Sequence, residues 1–123
     1  MSKENPKFLI CDDSILARKK IADTLASLGY TNLISVSNVQ EAVNIYKLEK
    51  PDVVILDIVM PVKDGIEAVK GIMEINDQAQ IIIVSSVGTQ TQLKAALEAG
   101  AKDFIQKPIE TSHVETLLQT HLG

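Results

Sequence analysis

Three short stretches of the chain are apolar at every position: Phe8-Leu9-Ile10-Cys11, Val53-Val54-Ile55-Leu56 and Ile81-Ile82-Ile83-Val84. A strand with one wet face alternates apolar and polar residues, so a run without alternation is covered on both faces. Such strands belong to a parallel sheet, whose crossover connections place helices on each side. The intervening segments have the matching helical spacing. Ile21, Leu25 and Leu28, with Ala17 and Ala22 beside them, predict a helix from Ser14 to Leu28, stopped by Gly29. Leu33 to Ser37 reads as a strand. Asn38-Val-Gln-Glu41 reads as a capping box opening a helix that ends before Pro51. Met60-Pro61 breaks the chain, and Asp64-Gly-Ile-Glu67 caps a third helix running to about Asn76. Thr89-Gln-Thr-Gln92 opens a fourth, closed by Gly100. Asp103-Phe104-Ile105 is a shorter strand ending at Lys107-Pro108. Ser112-His-Val-Glu115 opens the last helix, with Val114, Leu117, Leu118 and Leu122 on one face. Five strand–helix pairs with right-handed crossovers predict an α/β fold, a doubly wound five-stranded parallel sheet with five helices. The expectation is a single domain over residues 1–123, with 1–6 a frayed tail.

Composition narrows the function classes. The 123 residues carry 12 Lys and Arg against 16 Asp and Glu, a net charge of −4. An acidic chain lacks the positive field that phosphate backbones require, so nucleic acid is excluded as a direct partner. One cysteine permits neither an internal disulfide nor a cysteine-based zinc site. No apolar run approaches about 18 residues, so membrane insertion is not expected and a cytoplasmic location is.

Parallel strands all point the same way, and ligands of such sheets bind beyond the carboxyl ends. This sequence places Asp12 and Asp13 after the first strand, Asp57 at the end of the third, Ser85 at the end of the fourth and Lys107 after the fifth. Three carboxylates in one pocket repel, by on the order of 4 kcal/mol per pair at about 4 Å and an effective dielectric near 20. A hard divalent cation such as Mg²⁺ relieves this, being suited to carboxylate, water and phosphate oxygens. A carboxylate left partly free is able to attack phosphorus, and a lysine and a hydroxyl nearby to hold phosphoryl oxygens. The residues alone therefore indicate a metal-dependent phosphoryl site.

The segments LICDDS, VVILDIVMPVKDG, IIIVSS and DFIQKP resemble the signature segments of the response-regulator receiver domain, the CheY-like single-domain family. The resemblance runs from about Lys7 to Leu122. It implies the flavodoxin-like strand order 2-1-3-4-5. It also implies that Asp57 is the phospho-acceptor, that Asp12, Asp13 and Asp57 hold Mg²⁺ (Mn²⁺ as a substitute) and that Val59 adds a backbone carbonyl. Ser85 and Lys107 would bind the phosphoryl group, Ser85 and Phe104 would form the switch, and Lys107-Pro108 would be a cis-proline turn. The side chains two places beyond the phospho-acceptor and the switch hydroxyl are Val59 and Val87, and neither has a donor or acceptor to orient a water. Slow self-dephosphorylation is the expectation.

Each residue has a plainer reading. Asp12 is also a suitable helix cap. Ser85 is also a small strand-end residue, Lys107 a solvated lysine, and Phe104 ordinary core. Cys11, inside an apolar run, reads as a buried inert thiol. His113 and His121 read as helix-surface residues.

Three functions compete. The first is a stand-alone two-component regulator, loaded at Asp57 by a histidine kinase. It would signal through the face of the fourth helix, fifth strand and fifth helix to a downstream protein target or phosphatase, with chemotaxis as one output and a phosphorelay intermediate as another. It would be a monomer or weak dimer and not an enzyme beyond its own phosphorylation and dephosphorylation. The second is an aspartate-nucleophile phosphatase, which needs an acid two places after the nucleophile, where this chain has Val59. The third is an unphosphorylated scaffold, which the full set of site residues disfavours.

Overall fold

The computed structural model describes residues 5–57, 62–85 and 90–122, the side chains of 62–64 excepted. Expectations for Val59, Val87, the Met60-Pro61 break, Thr89 and the Asp64 side chain lie outside these residues. The elements alternate strictly. They run β1 (Phe8–Cys11), α1 (Ile15–Ser27), β2 (Leu33–Val36), α2 (Val39–Glu49), β3 (Val53–Asp57), α3 (Val62–Ile75), β4 (Ile81–Ser85), α4 (Gln90–Ala99), β5 (Asp103–Gln106) and α5 (Thr111–Leu122). The five strands form one parallel sheet in the order β2-β1-β3-β4-β5.

Adjacent strand residues face opposite layers, and this sorts the core into two parts. Leu9, Cys11, Val54, Leu56, Ile81 and Ile83 pack against Ala42, Tyr46, Val69, Ile72 and Ala96 of α2, α3 and α4. Phe8, Ile10, Val53, Ile55, Ile82 and Val84 pack against Ile21, Leu25, Val114, Leu117 and Leu118 of α1 and α5. Every residue of β1, β3 and β4 is buried. Each large aliphatic side chain so buried contributes roughly 1.5–3 kcal/mol. The edge strands β2 and β5 are only partly buried, in keeping with their mixed composition.

The helix ends follow local chemistry. Asn38 caps α2: its Oδ1 accepts the Glu41 amide at 2.9 Å, and Glu41 Oε1 accepts from the Asn38 side chain at 2.7 Å. Gly29 and Gly100 follow α1 and α4 with φ of +94° and +132°, left-handed backbone that glycine tolerates best. Two starts differ from the sequence expectation. α3 begins at Val62, so Asp64 lies in the first turn, where the positive end of the helix dipole also favours an acid. α5 begins at Thr111, and the Val114 amide donates to Glu110 O at 3.1 Å, so Ser112 is inside the helix. Pro6, placed in the expected tail, is buried. Among the described residues no helix is long and apolar enough to cross a membrane.

Candidate phosphoryl site

The carboxyl ends of the strands collect the site. β1 hands the chain to Asp12, which is 1% exposed, and β3 ends on Asp57, also 1% exposed. β4 ends on Ser85, likewise buried. Lys107 follows β5, and its amide donates to Ser85 O at 2.7 Å. Its ammonium then reaches across to Asp57 Oδ2 at 2.6 Å. The Lys107–Pro108 peptide bond is cis.

Asp12 is held on several sides. Its amide donates to Val36 O at 3.2 Å, and its Oδ1 accepts the Ser14 amide at 2.8 Å. Its other oxygen, Oδ2, is buried with no hydrogen-bond donor among the described residues. Burial first, and then the neighbouring Asp57 carboxylate, push the Asp12 carboxyl up to about 7. The Ser14 amide and the Lys107 ammonium pull in the other direction. The two carboxylates thus lie close enough to repel when both are ionised and to share a proton when one is not. Among the described residues, Lys107 is the ammonium that meets this pair, and it bonds Asp57.

That arrangement fits a hard cation. Oδ2 of Asp12 has no donor among the described residues, and a buried carboxylate oxygen beside a second carboxylate is the kind of ligand a hard divalent ion takes. Among the described residues no three His, Cys, Asp or Glu side chains are gathered tightly enough to hold a metal by themselves. Asp13, the third expected carboxylate, is exposed.

Other sequence expectations divide. Phe104 is 37% exposed, so the plain-core reading of it is incorrect. It sits on edge strand β5, which has only one covered face. Cys11 is fully buried, and burial together with the Asp12 charge pushes its thiol up to about 12. His121, read as a surface residue, is half-buried, with Nε2 2.9 Å from Asp103 Oδ2. Sequence reasoning missed Arg18, whose guanidinium Nη1 donates to Asp12 O at 2.7 Å. The available signal was its place one turn beyond the acidic pair. Beside Lys107 a groove of about 340 Å³ runs past Leu16, Ala17, Pro108 and Ile109, and Ile15 and Leu16 are largely exposed next to it.

Several known proteins resemble this chain. Residues 8–119 match the response regulator receiver domain. The chemotaxis protein CheY of Thermotoga maritima is 44% identical over 88% of this chain and 90% of its own length. CheY of Bacillus subtilis is 43% identical over the same shares. Among solved structures, the Vibrio cholerae chemotaxis protein CheY4 is 27% identical with a TM-score of 0.85, covering 96% of this chain and 99% of that one. The receiver domain of a Pseudomonas aeruginosa sensor histidine kinase is 26% identical with a TM-score of 0.86, covering 97% of this chain and 98% of that one. That structure has a magnesium ion coordinated in its active site cleft. Five parallel strands in the order 2-1-3-4-5, the acid-rich carboxyl edge and the match over residues 8–119 together establish that this chain belongs to the response regulator receiver domain family.

Proposed function

We propose that the protein is a phosphorylation-driven switch of the two-component type, with Asp57 as phospho-acceptor. The observation that carries this reading is the buried Asp57 carboxylate held at 2.6 Å by Lys107, beside a second buried carboxylate with an orphaned oxygen. Asp12, Asp13 and Asp57, with the carbonyl of Val59, are the residues that would hold Mg²⁺. Bound there, the ion supplies charge neutralisation for the carboxylates and the phosphoryl oxygens. A carboxylate oxygen of Asp57 takes the phosphoryl group as the donor's leaving group departs. Lys107 exchanges its carboxylate partner for a phosphoryl oxygen, and the buried Ser85 hydroxyl donates to another. Drawing Ser85 inward biases Phe104, now exposed, toward the interior, which alters the face of α4, β5 and α5. Phe104 has no hydroxyl to anchor the inward position.

The near full-length similarity to CheY proteins supports a stand-alone regulator acting in the cytoplasm on a separate protein, in a chemotaxis-type pathway. A histidine kinase is the phosphodonor, and the exposed Ile15 and Leu16 offer it apolar surface beside the site. Self-dephosphorylation is slow, because Val59 and Val87 are unable to orient a water. Acetyl phosphate with Mg²⁺ should add one phosphoryl mass to the wild type and none to Asp57→Asn. Stoichiometric labelling of the Asn variant would overturn the assignment. Phosphoryl decay measured beside Val59→Asn and Val87→Glu tests the lifetime, with faster decay expected in both.

A further inference from the structure

Arg18 lies one turn into α1, its amide donating to Ser14 O at 3.0 Å. Helical side chains lean toward the N-terminus, so the guanidinium reaches back over that turn. It ends on the Asp12 carbonyl at 2.7 Å, a short charge-assisted bond. Asp12 is then tied at its amide by β2, at its carbonyl by Arg18 and at Oδ1 by the Ser14 amide. The oxygen left over is Oδ2, buried and without a donor among the described residues. We infer that Arg18 is a positioning residue: by clamping the Asp12 carbonyl it fixes the peptide unit that holds Oδ2 in the buried site, and so sets the affinity for a divalent cation it does not touch. The inference rests on the reading of Asp12 as a metal ligand.

The sign of the effect separates this role from its rivals. Through space, a guanidinium repels a cation, so removing its charge should tighten cation binding. A purely structural arginine would alter stability and leave affinity alone. Positioning alone predicts weaker binding when the positive charge is removed. Loss of a group that orients a metal ligand typically costs about 10- to 100-fold in affinity.

The test titrates Mg²⁺ by calorimetry into wild type, Arg18→Met, Arg18→Gln, Arg18→Lys and Lys19→Met, with circular dichroism confirming the fold. It also follows amide exchange of Ser14 by NMR in metal-free protein. Lys19 is the charge control, being exposed on the same helix and paired with Asp23 at 3.0 Å. Arg18→Met and Arg18→Gln should weaken Mg²⁺ binding about tenfold, and Arg18→Lys should restore part of the loss. Lys19→Met should leave affinity unchanged or slightly tighter. Ser14 exchange should quicken in Arg18→Met and Arg18→Gln. Unchanged or tighter Mg²⁺ binding in either of these, once folded, overturns the inference. A wild type that binds no Mg²⁺ sinks the metal reading instead. Ser14 exchange then decides the clamp by itself, and unaltered exchange in Arg18→Gln overturns it.

Discussion

The two ends of the sheet use the same residue types in opposite ways. At the carboxyl end, Asp12 and Asp57 are buried, the half-buried Lys107 ammonium meets Asp57, and Asp12 Oδ2 has no donor among the described residues. At the amino end, Asp52 Oδ2 accepts the Lys7 amide at 2.8 Å, and Glu49 pairs with the Lys7 ammonium at 3.0 Å, partly in solvent. The acids at the amino end are hydrogen-bonded and partly screened by solvent, and they close loops. At the carboxyl end two carboxylates are desolvated side by side, which costs stability and favours a positive partner. A carboxylate signals function by what its surroundings fail to satisfy.

The largest expected effect is on Cys11, which reports the negative field at the carboxyl end. Its thiol, raised from 9.0 to about 12 by burial and then by the Asp12 charge, should form roughly a thousandfold fewer thiolates than an ordinary cysteine. Iodoacetamide at pH 8 should therefore label native protein only after unfolding. Rapid native labelling would mean that this end is neither dry nor acidic.

Next comes Asp12→Asn. Removing one of two apposed buried carboxylates should stabilise metal-free protein at pH 8 by on the order of 1–3 kcal/mol, measured by urea unfolding. The same change should abolish the stabilisation that Mg²⁺ gives the wild type. The pH dependence sharpens this. The folded Asp12 carboxyl, at about 7, binds its proton more tightly than the unfolded one near 3.8. Its contribution is full below about 4 and is lost as pH rises through about 7. Metal-free wild type should weaken over that window relative to Asp12→Asn, and its Mg²⁺ affinity should rise over the same window. Parallel stability curves for the two proteins would contradict the buried pair. The smallest effect belongs to the amino end. Glu49→Gln should change stability by no more than about 0.5 kcal/mol, as exposed ion pairs do. A cost comparable to the Asp12 effect would erase the contrast.

Much of this was legible in the chain. β1, β3 and β4 were readable because residues covered on both faces leave no polar alternation. Asn38 and Gly29 were readable because caps depend on neighbouring residues. The acids and Lys107 were readable as a set because parallel strands bring their ends to one edge. What escaped depended on where side chains go. The guanidinium of Arg18 bends back along its helix, and nothing in the spacing tells that path from a turn toward solvent. His121 finds Asp103 across 18 residues of sequence, a pairing only the fold creates. Phe104 looks like core by type, yet an edge strand leaves it half outside.

The division of the interior by the sheet has a consequence for how such a chain changes over generations. Leu9 and Ile10 are neighbours in sequence but belong to separate packing problems. A volume change at Ile72 must be absorbed among α2, α3 and α4, and one at Leu118 among α1 and α5. Substitutions in different layers should combine nearly independently. Each half-core is free to drift on its own clock. Asp12, Asp57 and Ser85 have no such freedom: they stand at the strand ends, where both halves border the same few atoms.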